Sequence, residues 1–407
     1  DARDTLLRTI QLQPSSAKAY ANLGMIMREL GDLNEAEIYT RKSIELKPNL
    51  AEAHANLGNI FRDSGKLNEA EIYTRKSIEL KPNFAEAYAN LGNICRNLGK
   101  LREAEIYIRK AIELKPEFIK CILSLGYLYQ ELGDFDLSNK MFQSIINIRN
   151  SNSKNKLQAI GQLLFNSLIT CEFKNIDSLI NYSKKIKNKN LNLGLDNYII
   201  KLSQELKQNY RLVDCKKIPY LGDSHCISFA NQIGNINNKI RKIQPIYIRG
   251  AKAWHFANTE KNSFKASFSE QIKKHNYSEE IFISFGELDC RIDEGILIYS
   301  RKYNKNISEV CRSTIINYLT FMESQLSSLY PSRYYVGIPA PVLKEDICNE
   351  LNFKRKSLIK KYNSILKEEV FNLGSYFIDT YSLTSNKDEE NNNLYMCDSI
   401  HLSPKCL

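Results

Sequence analysis

The sequence predicts two architectures in one chain: an α-solenoid, followed by an α/β domain whose parallel sheet lies between two helical layers. Two observations carry this prediction. Residues 17–50, 51–84 and 85–118 are three near-copies of one 34-residue unit, and a unit of that length is a helix pair that buries its apolar face only by stacking on its neighbours. From residue 216 onward, short apolar runs recur at 218–221, 246–250, 281–284, 334–338 and 376–379. Their spacing leaves room for crossover helices such as 309–328 and 354–373, which is the pattern of a parallel sheet.

Composition sets the outer bounds. The chain has 407 residues, 43% hydrophobic and 25% charged, which is ordinary for a soluble protein of two or three domains. No apolar run reaches the length of about 18 residues that a membrane-spanning helix needs. The ten cysteines show no CxxC and no paired spacing, which argues against a zinc ribbon or a disulfide framework and for reduced thiols in a cytoplasm. Cys226, Cys290 and Cys397 flank the candidate site described below. They could hold a metal only by converging with His225 or His401, and small buried side chains are the simpler account. No cofactor is expected. The net charge of +11 accompanies Lys, Asn and Ile spread along the whole chain, so it reads as compositional, and no nucleic-acid module or nucleic-acid partner is expected.

Each repeat carries its own structural logic. Tyr20, His54 and Tyr88, then Leu23, Leu57 and Leu91, form the apolar side of the first helix. Gly24, Gly58 and Gly92 allow close approach of the second helix, Gly31, Gly65 and Gly99 end the first, and Pro48, Pro82 and Pro116 stop the second. These units resemble tetratricopeptide repeats. Residues 119–152 are a fourth, eroded copy, and residues 1–16 align with the second half of a unit. The sequence therefore predicts an array that continues upstream, and a signal peptide is not assessable from Asp1 onward.

Stacked pairs make a superhelix whose concave face is lined by first helices. Asn22, Asn56 and Asn90 recur at one position there, with Asn59 and Asn93 one turn away. This ladder resembles the one in the repeats of O-linked N-acetylglucosamine transferase, and the resemblance implies a protein or peptide partner held by its backbone. Recent duplication of near-identical units would produce the same recurrence with no groove selected. Residues 153–215 read as two or three helices around the Lys/Asn-rich stretch KKIKNKNLNLG, capping the array. The predicted organisation is thus an array over 1–152, a helical cap over 153–215 and an α/β domain over 216–407.

The α/β half turns on IPYLGDSHCIS, residues 218–228. An apolar run ends at Gly222 and helical spacing begins after Ser224, so the serine falls at a strand-to-helix junction. There a side chain points into the crevice where open α/β sheets bind ligands, ahead of a helix N-terminus. Near the other end, Asp398 precedes His401 by three residues. A serine hydroxyl becomes a nucleophile when a histidine takes its proton, and a carboxylate fixes that histidine's tautomer. Between them lies Phe285-Gly286-Glu287-Leu288-Asp289-Cys290-Arg291.

In this order the blocks resemble the SGNH (GDSL-type) hydrolases, over roughly residues 216–404. The resemblance implies a flavodoxin-like three-layer αβα fold and a serine esterase. In it Ser224 is the nucleophile, His401 the base and Asp398 its orienting carboxylate. The Ser224 and Gly250 amides are the oxyanion donors. The family's third donor is an asparagine, and Leu288 stands in its place; Arg291 and Asn258 are the candidate substitutes, with an ion pair to Glu287 or Asp289 as the competing role for Arg291. His225 and His255 read as supporting residues, and Trp254 as either a sugar-stacking wall or a core anchor. The expected activity is removal or transfer of an acyl group, acetyl for instance, on a small carbohydrate-like substrate. The alternative is a scaffold whose second domain is inactive or senses a ligand. No sugar-nucleotide fingerprint follows residue 216, which disfavours a glycosyltransferase.

Overall fold

The structure is a computed structural model that describes residues 2–172, 174–186, 199–200, 202–204, 215–275, 278–342, 349–387, 391–392 and 394. The chain forms two compact units, Asp1–Ser151 and Asn152–Leu407.

The first unit is a stack of helix pairs. After α1 (Ala2–Leu12) come α2 (Ala17–Glu29) with α3 (Leu33–Leu46), α4 (Ala51–Asp63) with α5 (Leu67–Leu80), and α6 (Ala85–Asn97) with α7 (Leu101–Leu114). The eroded fourth copy folds in the same way, as α8 (Ile119–Glu131) with α9 (Phe135–Asn147). Leu23, Leu57 and Leu91 are buried, and Leu6, Leu7 and Ile10 of α1 pack against the cluster of Leu23, Met27, Ala36 and Ile60. Within the α2–α3 and α4–α5 pairs the Ser43 and Ser77 hydroxyls donate to the Ala17 and Ala51 carbonyls at 2.7 and 2.8 Å. Gly31, Gly65 and Gly99 hold φ of +87°, +78° and +76° at the predicted helix ends, a left-handed turn that costs glycine nothing.

The second unit begins with α10 (Ser153–Thr170) and α11 (Ile176–Ile186). Its sheet contains β1 (Lys217–Gly222), β2 (Ile233–Ile236), β3 (Lys239–Tyr247), β4 (Glu280–Ser284), β5 (Ser332–Val336) and β6 (Tyr376–Ile378) in the order β2-β3-β1-β4-β5-β6. All neighbours pair in parallel except β2 and β3, which are antiparallel. The sheet is therefore mixed, where the sequence predicted a wholly parallel one. The antiparallel edge is a hairpin turned at Asn237 and Asn238, with φ of +51° and +59°, the left-handed pair that a two-residue hairpin requires. The strand expected at 246–250 is the end of a longer strand that finishes at Tyr247.

Between the strands lie α12 (His225–Ser228), α13 (Ala253–Ala257), α14 (Ser263–Lys274), α15 (Ile296–Tyr303), α16 (Ile307–Leu326) and α17 (Asn349–Asn372), and α18 (Thr380–Thr384) follows β6. One sheet face, carrying Leu221, Ile246, Ile283 and Tyr335, shares a core with Phe256, Phe268, Tyr318 and Tyr362 from these helices. Burying each of these large side chains contributes about 1.5–3 kcal/mol. Side chains alternate along a strand, so Tyr220, Phe282, Tyr334 and Tyr376, which pair across β1, β4, β5 and β6, share the opposite face. Their rings follow one another at 5.7, 5.3 and 4.8 Å. α10, part of the segment expected to cap the array, packs on this face, with Phe165 at 4.7 Å from Tyr247 and the Leu168 carbonyl accepting from Asn231 Nδ2 at 2.6 Å.

Close helix approach in the array makes a specific prediction. A Cβ at Gly92 would lie 2.5 Å from Ile108 Cγ1 and 3.3 Å from the Ala104 carbonyl. Gly92→Ala should therefore lower stability in urea denaturation by about 1–3 kcal/mol, despite the better helix propensity of alanine. In an Ile108→Ala background, itself less stable because Ile108 is fully buried, Gly92→Ala should cost less than it does in the native chain.

Candidate functional site

Ser224 sits where its local sequence predicts. β1 ends at Gly222, Asp223 is buried, and Ser224 (φ −58°, ψ −19°) opens the short α12. A side chain at Gly222 would meet the Ser284 carbonyl at 2.9 Å and Cys226 Cβ at 3.1 Å, so glycine is what lets the ends of β1 and β4 close up here. On the other side of β1, the Ile248 amide donates to the Gly222 carbonyl at 2.9 Å. Two residues later Gly250 turns the chain at φ +63°. The serine and the second-block glycine thus follow the carboxyl ends of adjacent strands.

The third block closes the arrangement. Gly286, at φ +130°, leaves room for the Tyr362 ring, which a Cβ would meet at 2.7 Å. Leu288, Asp289 and Cys290 form a single 3-10 turn. Asp289 is fully buried and accepts from the Ala253 amide at 2.7 Å and the Trp254 amide at 3.1 Å. It thereby fixes the start of α13, and with it the Gly250 turn, to the third block. Burial pushes its carboxyl up to about 7, against the opposing pull of those two amides. Glu287 is buried between Arg291 at 2.8 Å and Arg355 at 3.1 Å.

The remaining sequence candidates divide by location. Arg291 spends its guanidinium on Glu287 and Glu294, the competing structural role considered for it. Asn258 caps a turn, its Oδ1 accepting from the Glu260 amide at 3.0 Å. Leu288 is half-buried and offers no hydrogen-bond donor. His255 stacks on Phe264 at 3.7 Å and its Nδ1 lies 2.9 Å from the Lys252 amide. Burial and then the nearby Lys252 charge lower its pKa to about 4, so it is neutral at physiological pH. Cys226 and Cys290 are fully buried, and burial raises both thiols well above the ordinary range. His225 opens α12. Asp398, His401 and Cys397 lie outside the described residues.

Arg249 was not among the sequence candidates. Together with Tyr247, Gln162 and Phe165 it lines the same cleft as Ser224, a space of about 20 Å³ that suits a single water-sized group. Its signal was position alone: a cation one residue before the second-block glycine.

In the array, Asn56 Nδ2 donates to the Ala21 carbonyl at 3.0 Å, so this member of the ladder joins two repeats. Asn22 is exposed and Asn90 half-buried. Among the described residues, Glu71, Cys95 and Glu103 are the group whose ligand atoms converge as a metal site would require. Arg75 and Lys100 already bind Glu71, at 2.6 and 2.8 Å. No helix among the described residues is long and apolar enough to cross a membrane.

Family models described as tetratricopeptide repeat match residues 17–50, 51–84 and 85–118. Residues 17–118 are tetratricopeptide repeats. No curated protein sequence matches the chain. Among solved structures it is similar to MamA, at 23% identity over 46% of this chain and 98% of that one, with a TM-score of 0.34. It is similar to YrrB, titled a TPR protein with an unusual peptide-binding site, at 16% identity over 48% and 97%, with a TM-score of 0.37. PilF of Pseudomonas aeruginosa gives 18% identity over 52% and 94%, with a TM-score of 0.39. The tetratricopeptide helix pairs are a scaffold of the kind that binds proteins or peptides.

Asp289 generates a pH prediction. Its carboxyl titrates near 7 in the folded chain and near the ordinary ~3.9 in the unfolded one. Between these values the unfolded chain gives up a proton that the folded chain keeps, so this group's contribution to stability falls as pH rises through the window and is flat above it. The stability of the native chain relative to Asp289→Asn should fall by about 1 kcal/mol per pH unit between pH 5 and 6.5, read by denaturation at each pH. A difference that stays constant with pH would exclude a titrating buried carboxyl.

Proposed function

We propose that the second unit is an SGNH/GDSL-type serine hydrolase acting on ester bonds, removing or transferring an acyl group on a carbohydrate-like substrate, while the repeats hold a protein or peptide partner. The observation that carries this reading is the position of Ser224 at the carboxyl end of β1, flanked by Gly250 beyond β3 and Gly286 beyond β4. Apart from the antiparallel β2, the strands run second-first-third-fourth-fifth, the order of flavodoxin-like sheets, whose ligands sit at this switch point.

In the mechanism, His401 takes the Ser224 proton with Asp398 orienting the imidazole, and Ser224 Oγ attacks the ester carbonyl. The Ser224 and Gly250 amides receive the oxyanion, the alcohol leaves with the proton from His401, and water or an acceptor alcohol then releases the acyl group. Leu288 supplies no third donor. Arg249 lines the same cleft as Ser224 and is the substitute donor we propose. Losing one such donor costs about 10²–10³ in rate, and Arg249→Ala should show a loss of that order in ester hydrolysis.

A second reading, a scaffold whose α/β unit has no catalytic activity, is favoured by Leu288. A fluorophosphonate probe separates the two. The hydrolase reading expects modification confined to Ser224, by peptide mapping, and lost in Ser224→Ala and His401→Ala. A folded chain that takes no label supports the scaffold.

A further inference from the structure

A larger cleft opens between α13, α15 and the first half of α16, with a volume of about 500 Å³. That is within the ~300–1,000 Å³ range of small-molecule sites. Trp254 and Tyr299 line it, and both are unusually open for large aromatic rings, at 44% and 39% exposed. Trp254 is not needed by the core. Phe256, two residues on, does that work, buried against Phe285, Phe321 and Phe268. The Trp254 backbone is nonetheless held rigidly, because its amide donates to buried Asp289. A fixed backbone presenting an open ring is a platform for a flat partner.

The rest of the lining says which partner. Asn258, Ser313, Thr314 and Asn317 place amides and hydroxyls around the rings, donors and acceptors together, as a ligand with many hydroxyls requires. Lys305 and Glu309 add one charge of each sign, which favours neither an anion nor a cation. The location fits as well, since α16 runs back from the carboxyl ends of the strands toward the start of β5 and its first residues lie at the same end of the sheet as Ser224.

We infer that this cleft binds a neutral sugar, its apolar ring face stacked on Trp254 and Tyr299 and its hydroxyls bonded by Asn258, Ser313 and Asn317. The inference rests on the hydrolase reading for its purpose, which is to hold the sugar whose acyl group Ser224 attacks. Binding itself needs no reactive serine.

The whole chain contains one tryptophan, so intrinsic tryptophan emission reports on Trp254 alone. The test is titration of the full chain with lactose, cellobiose and N,N′-diacetylchitobiose, with adenosine and sialyllactose alongside. The expected result is a saturable emission change with at least one neutral disaccharide, weakened about tenfold in Asn317→Ala, as loss of one hydrogen bond to the ligand implies, and in Tyr299→Ala. Binding should be unchanged in Ser224→Ala. Asn317 is exposed, so its variant keeps the test valid if Tyr299→Ala misfolds. No saturable change with any neutral sugar, binding unaffected by Asn317→Ala, or a preference for adenosine or sialyllactose would overturn the inference. Sugar binding without probe labelling at Ser224 would overturn the hydrolase reading and leave this one standing; labelling without sugar binding would do the reverse.

Discussion

The candidate site depends on one buried carboxylate. Asp289 is fully buried and holds two successive backbone amides, those of Ala253 and Trp254. The turn containing Gly250 is anchored on one side by Ile248 and Ala251, both buried in the core, and by the Ile248 amide on the Gly222 carbonyl. Asp289, reaching across from the third block, adds a polar tie between this turn and the segment after β4. The same bond sets the platform under Trp254. Loss of either partner would leave a buried polar group unsatisfied, which costs more than an ordinary hydrogen bond contributes.

Much of this was legible in the sequence, for identifiable reasons. The repeats declare themselves because each position has one job, and Gly92, Leu91 and Pro116 leave little choice of residue. Ser224 was legible because an apolar run, a glycine and a helical onset fall in strict succession. The β2–β3 hairpin was not legible. Ile240, Ile243 and Ile246 recur every third residue, which imitates a helix more than a half-buried strand, and Pro245 breaks the strand reading further. The turn itself, Asn237-Asn238, hides in a stretch already rich in asparagine.

At the site, sequence reasoning located the blocks better than their side-chain roles. For Arg291 the sequence offered two roles, oxyanion donor or ion pair with Glu287 or Asp289, and the structure pairs it with Glu287 and also with Glu294, which no local pattern announced. Arg249 was overlooked because substitutes were sought after the second-block glycine, at Asn258, and in the third block, at Arg291, rather than before Gly250. Proximity between Arg249 and Ser224 comes from the pairing of β1 with β3, a tertiary fact. Asn56 carries the same lesson in the array. A residue that recurs at the groove also bonds the preceding repeat through the Ala21 carbonyl, so recurrence there reflects construction at least as much as recognition.

The two borders of the sheet have a bearing on how such molecules behave in company. On one side the last described strand is β2, four residues long, folded back on a β3 that carries Lys239, Arg241 and Lys242. On the other it is β6, of three residues. Borders this short make poor templates for a further strand from another molecule. The described strands of the α/β unit thus offer little open edge for pairing between molecules at high concentration.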